Sequence, residues 1–165
     1  MIKNALDTRK STEKDRYLVF SLCEEQYAIP LLKVKEVIGM PTITPVPHAP
    51  PHFKGVMNLR GQIISVIDLR VKFRMSRADF TPETAIIVLD FASVVLGVIV
   101  DSVASVLAAL ESELAEVPAI ESHLPPGCIT GVYRKSERLT FLIDIERAVG
   151  LAELKNHLSA RPKVA

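Results

Sequence analysis

The chain has 165 residues, 48% of them apolar and 24% charged, with a formal net charge of +1. That length and apolar content can bury a sizeable core without staples, which excludes a disordered chain. A near-neutral charge, an aromatic share of 5% and the absence of tryptophan argue against a nucleic-acid binder that relies on a basic surface and base stacking.

Residues 1–15 are polar and charged, with Asn4, Asp7, Arg9, Lys10, Glu13 and Lys14, and read as a solvated tail rather than a signal peptide. Tyr17–Leu22 is rich in β-branched and aromatic residues and predicts a strand. A polar turn at 23–26 and a second strand over Tyr27–Leu31 follow. Val34, Val37 and Ile38 continue at mixed spacing, and Val34 and Glu36 would share one face of an extended strand. Five prolines between Pro41 and Pro51 fix φ and remove donors, which predicts an extended crossing strap. Residues 50–55 could form a short helical turn ended by Gly55. Asn58–Gln62 predicts a tight turn around Gly61, then a strand over Ile63–Ile67 and a helical turn from Leu69.

The polar stretch Ser76–Glu83 reads as a junction between two halves, the first about 16–80 and the second about 81–150. Strands are expected over Thr84–Phe91, Val94–Val100 and Val103–Leu107, then one or two helical turns in the acidic, alanine-rich Ala108–Glu116. Pro118, Pro125 and Pro126 place a second strap. Gly131–Tyr133 and Leu139–Ile145 flank a charged turn, and Ile145–Leu158 predicts a C-terminal helix weakened at Gly150. A C-terminal tail, 156–165, closes the chain. No apolar run approaches the ~20 residues of a membrane span, so a cytoplasmic protein is expected.

The halves repeat each other. Gly55, Val56, Ile63, Val66, Ile67, Asp68 and Leu69 align without gaps on Gly131, Val132, Leu139, Leu142, Ile143, Asp144 and Ile145. Tyr17–Leu22 aligns with Ala85–Asp90, and Ile29, Leu31, Val34 and Val37 align with Val98, Val100, Val103 and Val106. About five short strands and one strap per half predict an all-β fold with short helices: two small barrels packed together.

Catalytic and metal patterns are lacking. His48, His52, His123 and His157 have no ligand spacing, and Cys23 and Cys128 read as small buried apolar residues. Asp68 and Asp144 close equivalent strands, where a helix-capping role accounts for both copies, and Asp101 could cap the turn after Val100. The halves differ at their hairpin tips. Arg60 beside Gly61 presents a guanidinium fork suited to a partner's carboxylate. Leu18, Leu31 and Val34 could be core or an external docking face. A duplicated β-unit of this kind points to a binding module. A ligand- or single-strand-binding barrel is a remote alternative.

The ordered series YLVFSL, LLKVKEVI, ITPVP, FKGVMNLRGQIISVIDLR, GVIVDSV and LTFLIDIE, running from about Tyr17 to Leu151, resembles the CheW family of chemotaxis coupling proteins. The resemblance implies two five-stranded barrels of the Src-homology-3 type around a shared core, within a folded unit at 16–155. It implies a non-enzymatic adaptor, without cofactor or metal, that is monomeric on its own. Such an adaptor links the cytoplasmic signalling tips of chemoreceptors to the regulatory domain of the histidine kinase CheA, and is recruited to membrane-associated receptor arrays. A pathway serving pili or development rather than flagella is the alternative. By position, the receptor-binding residues would be Glu36, Asn58, Arg60 and Gly61, with Val103 and Val106 lining a neighbouring groove. The kinase-binding patch would be Leu18, Leu31 and Val34. The chain departs from the family pattern at Cys23, Pro30 and Ser65.

Overall fold

The computed structural model describes residues 15–76, 79–117 and 124–154. In chain order the strands are β1 (Arg16–Leu22), β2 (Glu25–Pro30), β3 (Val34–Gly39), β4 (Phe53–Leu59), β5 (Gln62–Asp68), β6 (Ala85–Asp90), β7 (Val95–Val100), β8 (Ser102–Ala108), β9 (Leu114–Ala115), β10 (Ile129–Lys135) and β11 (Arg138–Ile143). Two four-residue helices, α1 (Leu69–Lys72) and α2 (Ile145–Ala148), follow β5 and β11.

The strands form a six-stranded sheet in the order β8-β1-β2-β11-β10-β9 and a five-stranded sheet in the order β3-β6-β7-β5-β4. The two orders are images of each other under the sequence repeat. The sheets do not divide at residue 80, however. Each takes one hairpin from one half of the chain and its flanking strands from the other, because β2 pairs parallel with β11, and β5 pairs parallel with β7. The two-residue β9 has its counterpart in the isolated bridge between Thr44 and Val56, where the proline strap touches β4.

The main core lies between the sheets. Leu18, Phe20, Leu22, Tyr27 and Ile29 come from one sheet, and Ile87, Leu89, Leu96, Val98 and Val100 from the other. Each sheet also curls around a smaller cluster of its own: Met57, Ile64, Val66, Ile86, Val88 and Ile99 in the five-stranded sheet, and Val19, Ala28 and Leu142 in the six-stranded one. Alternate residues of a strand face opposite sides, so β6 is covered on both faces and reads as a continuous apolar run.

The cores correct the alignment of the repeat by one residue. Leu18, Phe20 and Leu22 match Ile87, Leu89 and Phe91, all in the main core. The matching pairs Phe20 with Val103 and Leu89 with Val34 give the same offset. Aligning Tyr17–Leu22 with Ala85–Asp90 would exchange the inner and outer faces of the strand.

Other local expectations shift in detail. Residues 50–53 form a turn closed by Phe53 N–H donating to the Pro50 carbonyl, and β4 has begun before Gly55. The helical turn expected in 108–116 is the 3₁₀ turn Glu111–Glu113. The C-terminal helix is interrupted: α2 ends at Ala148 with Val149 as its C-cap, Gly150 takes φ +67°, and a further helical turn occupies 151–154. The rest of that expected helix, both tails, His123, His157 and the strap proline Pro118 lie outside the described residues.

Candidate functional site

The hairpin between β4 and β5 turns on Arg60 and Gly61, whose φ values of +51° and +85° are those of a two-residue type I′ turn. Gly61 meets that geometry without a Cβ penalty, and Asn58 Oδ1 accepts from Gly61 N–H at 2.9 Å. The turn lifts Arg60 clear of the sheet, with its side chain 77% exposed. Arg60 Nη2 donates to Glu36 Oε2 at 3.1 Å. Glu36 belongs to β3, the opposite edge of the same sheet, so the contact draws the two edges together as barrel closure requires. The other carboxylate oxygen, Glu36 Oε1, is buried and has no hydrogen-bond partner among the described residues.

Of the residues assigned to receptor binding, Glu36, Asn58, Arg60 and Gly61 therefore form one cluster. Val103 and Val106 lie on β8, the edge strand of the other sheet and the repeat counterpart of β3. A bulge at Ala104 puts both valines on one face: Val103 packs against the main core and Val106 is exposed. The counterpart bulge in β3 falls at Lys35, between Val34 and Glu36, so the two edge strands are built alike.

The proposed kinase patch is only partly external. Leu18 is 6% exposed, because β1 is flanked by β8 and β2 and turns Leu18 into the main core, the first of the two placements its sequence left open. Leu31 and Val34 are half-buried against that core at the ends of the 3₁₀ turn Leu31–Lys33. Pro30 is the last residue of β2 and leads into this turn, where its missing N–H costs no ladder bond beyond the strand end. Leu32, which the sequence did not single out, is the exposed apolar residue of the turn.

The repeated carboxylates cap helices as expected. Asp68 accepts from Arg70 N–H, and Asp144 accepts from Glu146 and Arg147 N–H. The sequence did not announce the role of Arg70. Its side chain is 2% exposed, with Nε and Nη2 donating to the two oxygens of Asp68, both at 3.1 Å, and Nη1 donating to Asp101 Oδ1 at 3.1 Å. Burial alone would lower the pKa of Arg70, but the two carboxylates more than offset it and raise it. Asp101 does not cap its own turn. It accepts from Cys23 N–H at 2.7 Å, tying the β1–β2 hairpin to Arg70. The only signal available was a charged residue inside the apolar run VIDLRV.

Cys128 is buried as expected, but Cys23 is half-exposed in a turn at φ +48°, with Sγ donating to the Ser76 carbonyl at 3.3 Å. Burial, followed by the Asp101 charge, raises the Cys23 thiol pKa. No group of three or more potential metal ligands occurs among the described residues, and none of their helices is long and apolar enough to cross a membrane.

Comparison with known proteins agrees with this architecture. The model of the CheW-like domain family matches residues 16–153. A chemotaxis protein CheW of Klebsiella aerogenes is 36% identical over 143 residues, which cover 87% of this chain and 86% of the relative. Protein FrzA of Myxococcus xanthus is 29% identical over 54% of this chain and 56% of its own. The crystal structure of the scaffolding protein TtCheW from Thermoanaerobacter tengcongensis matches with a TM-score of 0.72 at 29% identity, over 80% of this chain and 85% of that one. The chain thus belongs to the CheW-like domain family of chemotaxis scaffold proteins.

Proposed function

We propose that this protein is a non-catalytic adaptor that couples the cytoplasmic signalling tips of chemoreceptors to the histidine kinase CheA. The observation that carries this reading is the Arg60 turn. A guanidinium held at the apex of a type I′ hairpin, with Glu36 beneath it, gives an oriented fork for a carboxylate on a receptor helix. Glu36 Oε1, buried without a partner among the described residues, supplies an acceptor for a donor brought by the same helix. Val103 and Val106 would extend that surface along β8. Leu31, Leu32 and Val34 form the apolar patch offered to the regulatory domain of the kinase, with Leu18 supporting it from the core. The protein acts from the cytoplasm, as a monomer before assembly, and joins receptor arrays through these two surfaces.

Co-sedimentation tests this reading. A receptor-tip fragment on beads should retain the kinase regulatory domain only when this protein is present. Arg60→Ala should release the protein from the receptor while leaving its complex with the kinase domain intact. A folded Arg60→Ala protein that still bridges both partners with wild-type affinity would refute the assignment.

A further inference from the structure

Within the described residues the chain passes between the two sheets twice, from β2 to β3 through the turn Leu31–Lys33 and from β7 to β8 through Asp101. Each passage follows a strand of a parallel pair, β2 beside β11 and β7 beside β5. Each is pinned by an ion pair to the helical turn that follows the partner strand: Asp101 to Arg70 of α1, and Lys33 to Glu146 of α2. Arg70 and Glu146 are repeat counterparts, both two residues beyond a capping aspartate. The repeat therefore makes one link twice, with the charges exchanged.

The two links differ in how well they are held. At the β7–β8 passage Asp101 accepts from Arg70 Nη1 at 3.1 Å through one oxygen and from Cys23 N–H at 2.7 Å through the other. Its own N–H donates to the Ser21 carbonyl at 3.0 Å. Arg70 is nearly sealed from solvent, with the ring of Phe80 centred 5.3 Å from its Cζ. At the β2–β3 passage Lys33 Nζ and Glu146 Oε1 are 2.6 Å apart, but their side chains are 41% and 43% exposed. Water and salt therefore compete with this pair far more than with the buried one. Asp144, close by, is engaged in capping α2 and lies 3.6 Å from Arg147, so Glu146 is the carboxylate that meets Lys33. No residue of the turn is buried, and Pro30 at its start makes no side-chain capping bond. A cleft of about 330 Å³, lined by Pro30, Lys33, Thr130 and Glu146 among others, gives the turn room to move.

We infer that the turn Leu31–Lys33 is a latched segment, which opens locally when the Lys33–Glu146 pair breaks while the β7–β8 passage stays closed. Opening frees Leu31 and the first residue of β3, Val34, from their packing against the main core, beside the already exposed Leu32. The turn then presents a larger apolar surface. A partner that draws either charge into an ion pair of its own favours this open state. The inference goes beyond the coupling reading and holds whichever protein meets the turn.

Amide hydrogen exchange of the full chain, followed by NMR, tests it. Val34 N–H donates to the Leu31 carbonyl and reports on the turn, and Asp101 N–H reports on the other passage. Val34 should exchange through a local opening that urea scarcely accelerates, and Asp101 through one that urea accelerates strongly. Raising sodium chloride from about 0.01 M to about 1 M shortens the Debye length from about 30 Å to about 3 Å, and should speed exchange at Val34 relative to Asp101. Lys33→Met and Glu146→Gln should each speed Val34 exchange about twofold to fivefold. The double variant should be no faster than either single one, because the two side chains act as one pair. A Val34 amide as sensitive to urea as that of Asp101, no response to salt or to either substitution, or effects that add in the double variant would overturn the latch.

Discussion

Glu36 and Arg60 stand on opposite edges of one five-stranded sheet and meet across its open side, Arg60 Nη2 donating to Glu36 Oε2 at 3.1 Å. The pair is exposed on the arginine side, so its worth to the fold is modest, about 0.2–1 kcal/mol. In the proposed receptor site its worth to binding should be larger, because it holds a flexible side chain in one orientation. Glu36→Gln keeps the shape and removes the charge. It should lower the unfolding free energy by less than about 1 kcal/mol, yet weaken receptor-fragment binding measurably. Arg60→Ala should cost on the order of 2 kcal/mol of binding, roughly thirtyfold in Kd. Isothermal titration beside urea denaturation separates the two quantities.

Arg70 presents the opposite balance. It is buried between Asp68 and Asp101, so its removal leaves a carboxylate in the core without its countercharge. Arg70→Met should therefore destabilise the protein by about 3–5 kcal/mol. Arg147→Ala, at an exposed ion pair 3.6 Å from Asp144 in the repeat-related helix, should stay within about 0.5 kcal/mol. Urea midpoints of the two variants check the contrast.

Leu18 and Leu32 separate core from surface in the patch assigned to the kinase. Leu18→Ala removes a side chain packed among Phe20, Ile29 and their neighbours, and should cost about 2–5 kcal/mol of stability. Leu32→Asp alters an exposed position and should leave the melting temperature near that of the wild type while abolishing kinase-domain binding. A Leu18→Ala protein of unchanged stability would show that Leu18 is not the core residue its burial indicates.

The contrast between Leu18 and Leu32 marks how far the sequence carries. Local chemistry was legible: the Arg60–Gly61 turn, the capping Asp68 and Asp144, and the proline strap all follow from residue type and spacing. The repeat was legible as well, and with it two packed β units, while the common core was implied only by the family resemblance. The exchange of strands between halves was not, because parallel pairing of β2 with β11 leaves no mark within either segment. Nor does strand periodicity say which of two apolar faces meets the larger core, so a one-residue slip in aligning β1 with β6 passed unseen. The partners of Arg70 were hidden for a related reason: Asp101 lies 31 residues further along the chain. Residues 1–14 and 155–165 have no described structure to compare with the tails expected there.

His52 gives a pH dependence. Burial, and then the nearby Lys72 charge, lower its pKa below the ordinary 6.5. The folded protein therefore holds His52 neutral where the unfolded chain has begun to bind a proton. The contribution is fully present above pH 6.5 and is lost as pH falls through the folded value. Unfolding free energy should fall as pH drops from 7 towards 5, and His52→Gln should flatten that part of the profile. An identical profile in the two proteins would place the acid sensitivity in the carboxylates instead.

Gly55 and Gly131 are repeat-related positions with different demands. Gly55 has φ +149°, and a Cβ there would collide with the Thr44 carbonyl and lie 2.9 Å from Ile43 Cγ2, where the strap crosses β4. At Gly131 the nearest atoms to a Cβ are those of Leu114, 3.7 Å away, an ordinary contact. Gly55→Ala must displace backbone or twist into a conformation that L residues avoid, and should cost about 2–3 kcal/mol or more. Gly131→Ala should cost less than about 1 kcal/mol. The Thr44–Val56 bridge fixes the strand that leads into the Arg60 turn, so Gly55→Ala should also weaken receptor-fragment binding under conditions where the protein remains folded. Gly131→Ala should leave that affinity unchanged, because its strand leads to the other hairpin tip. Melting curves and titrations on both variants decide whether the strap positions Arg60 or merely covers the sheet.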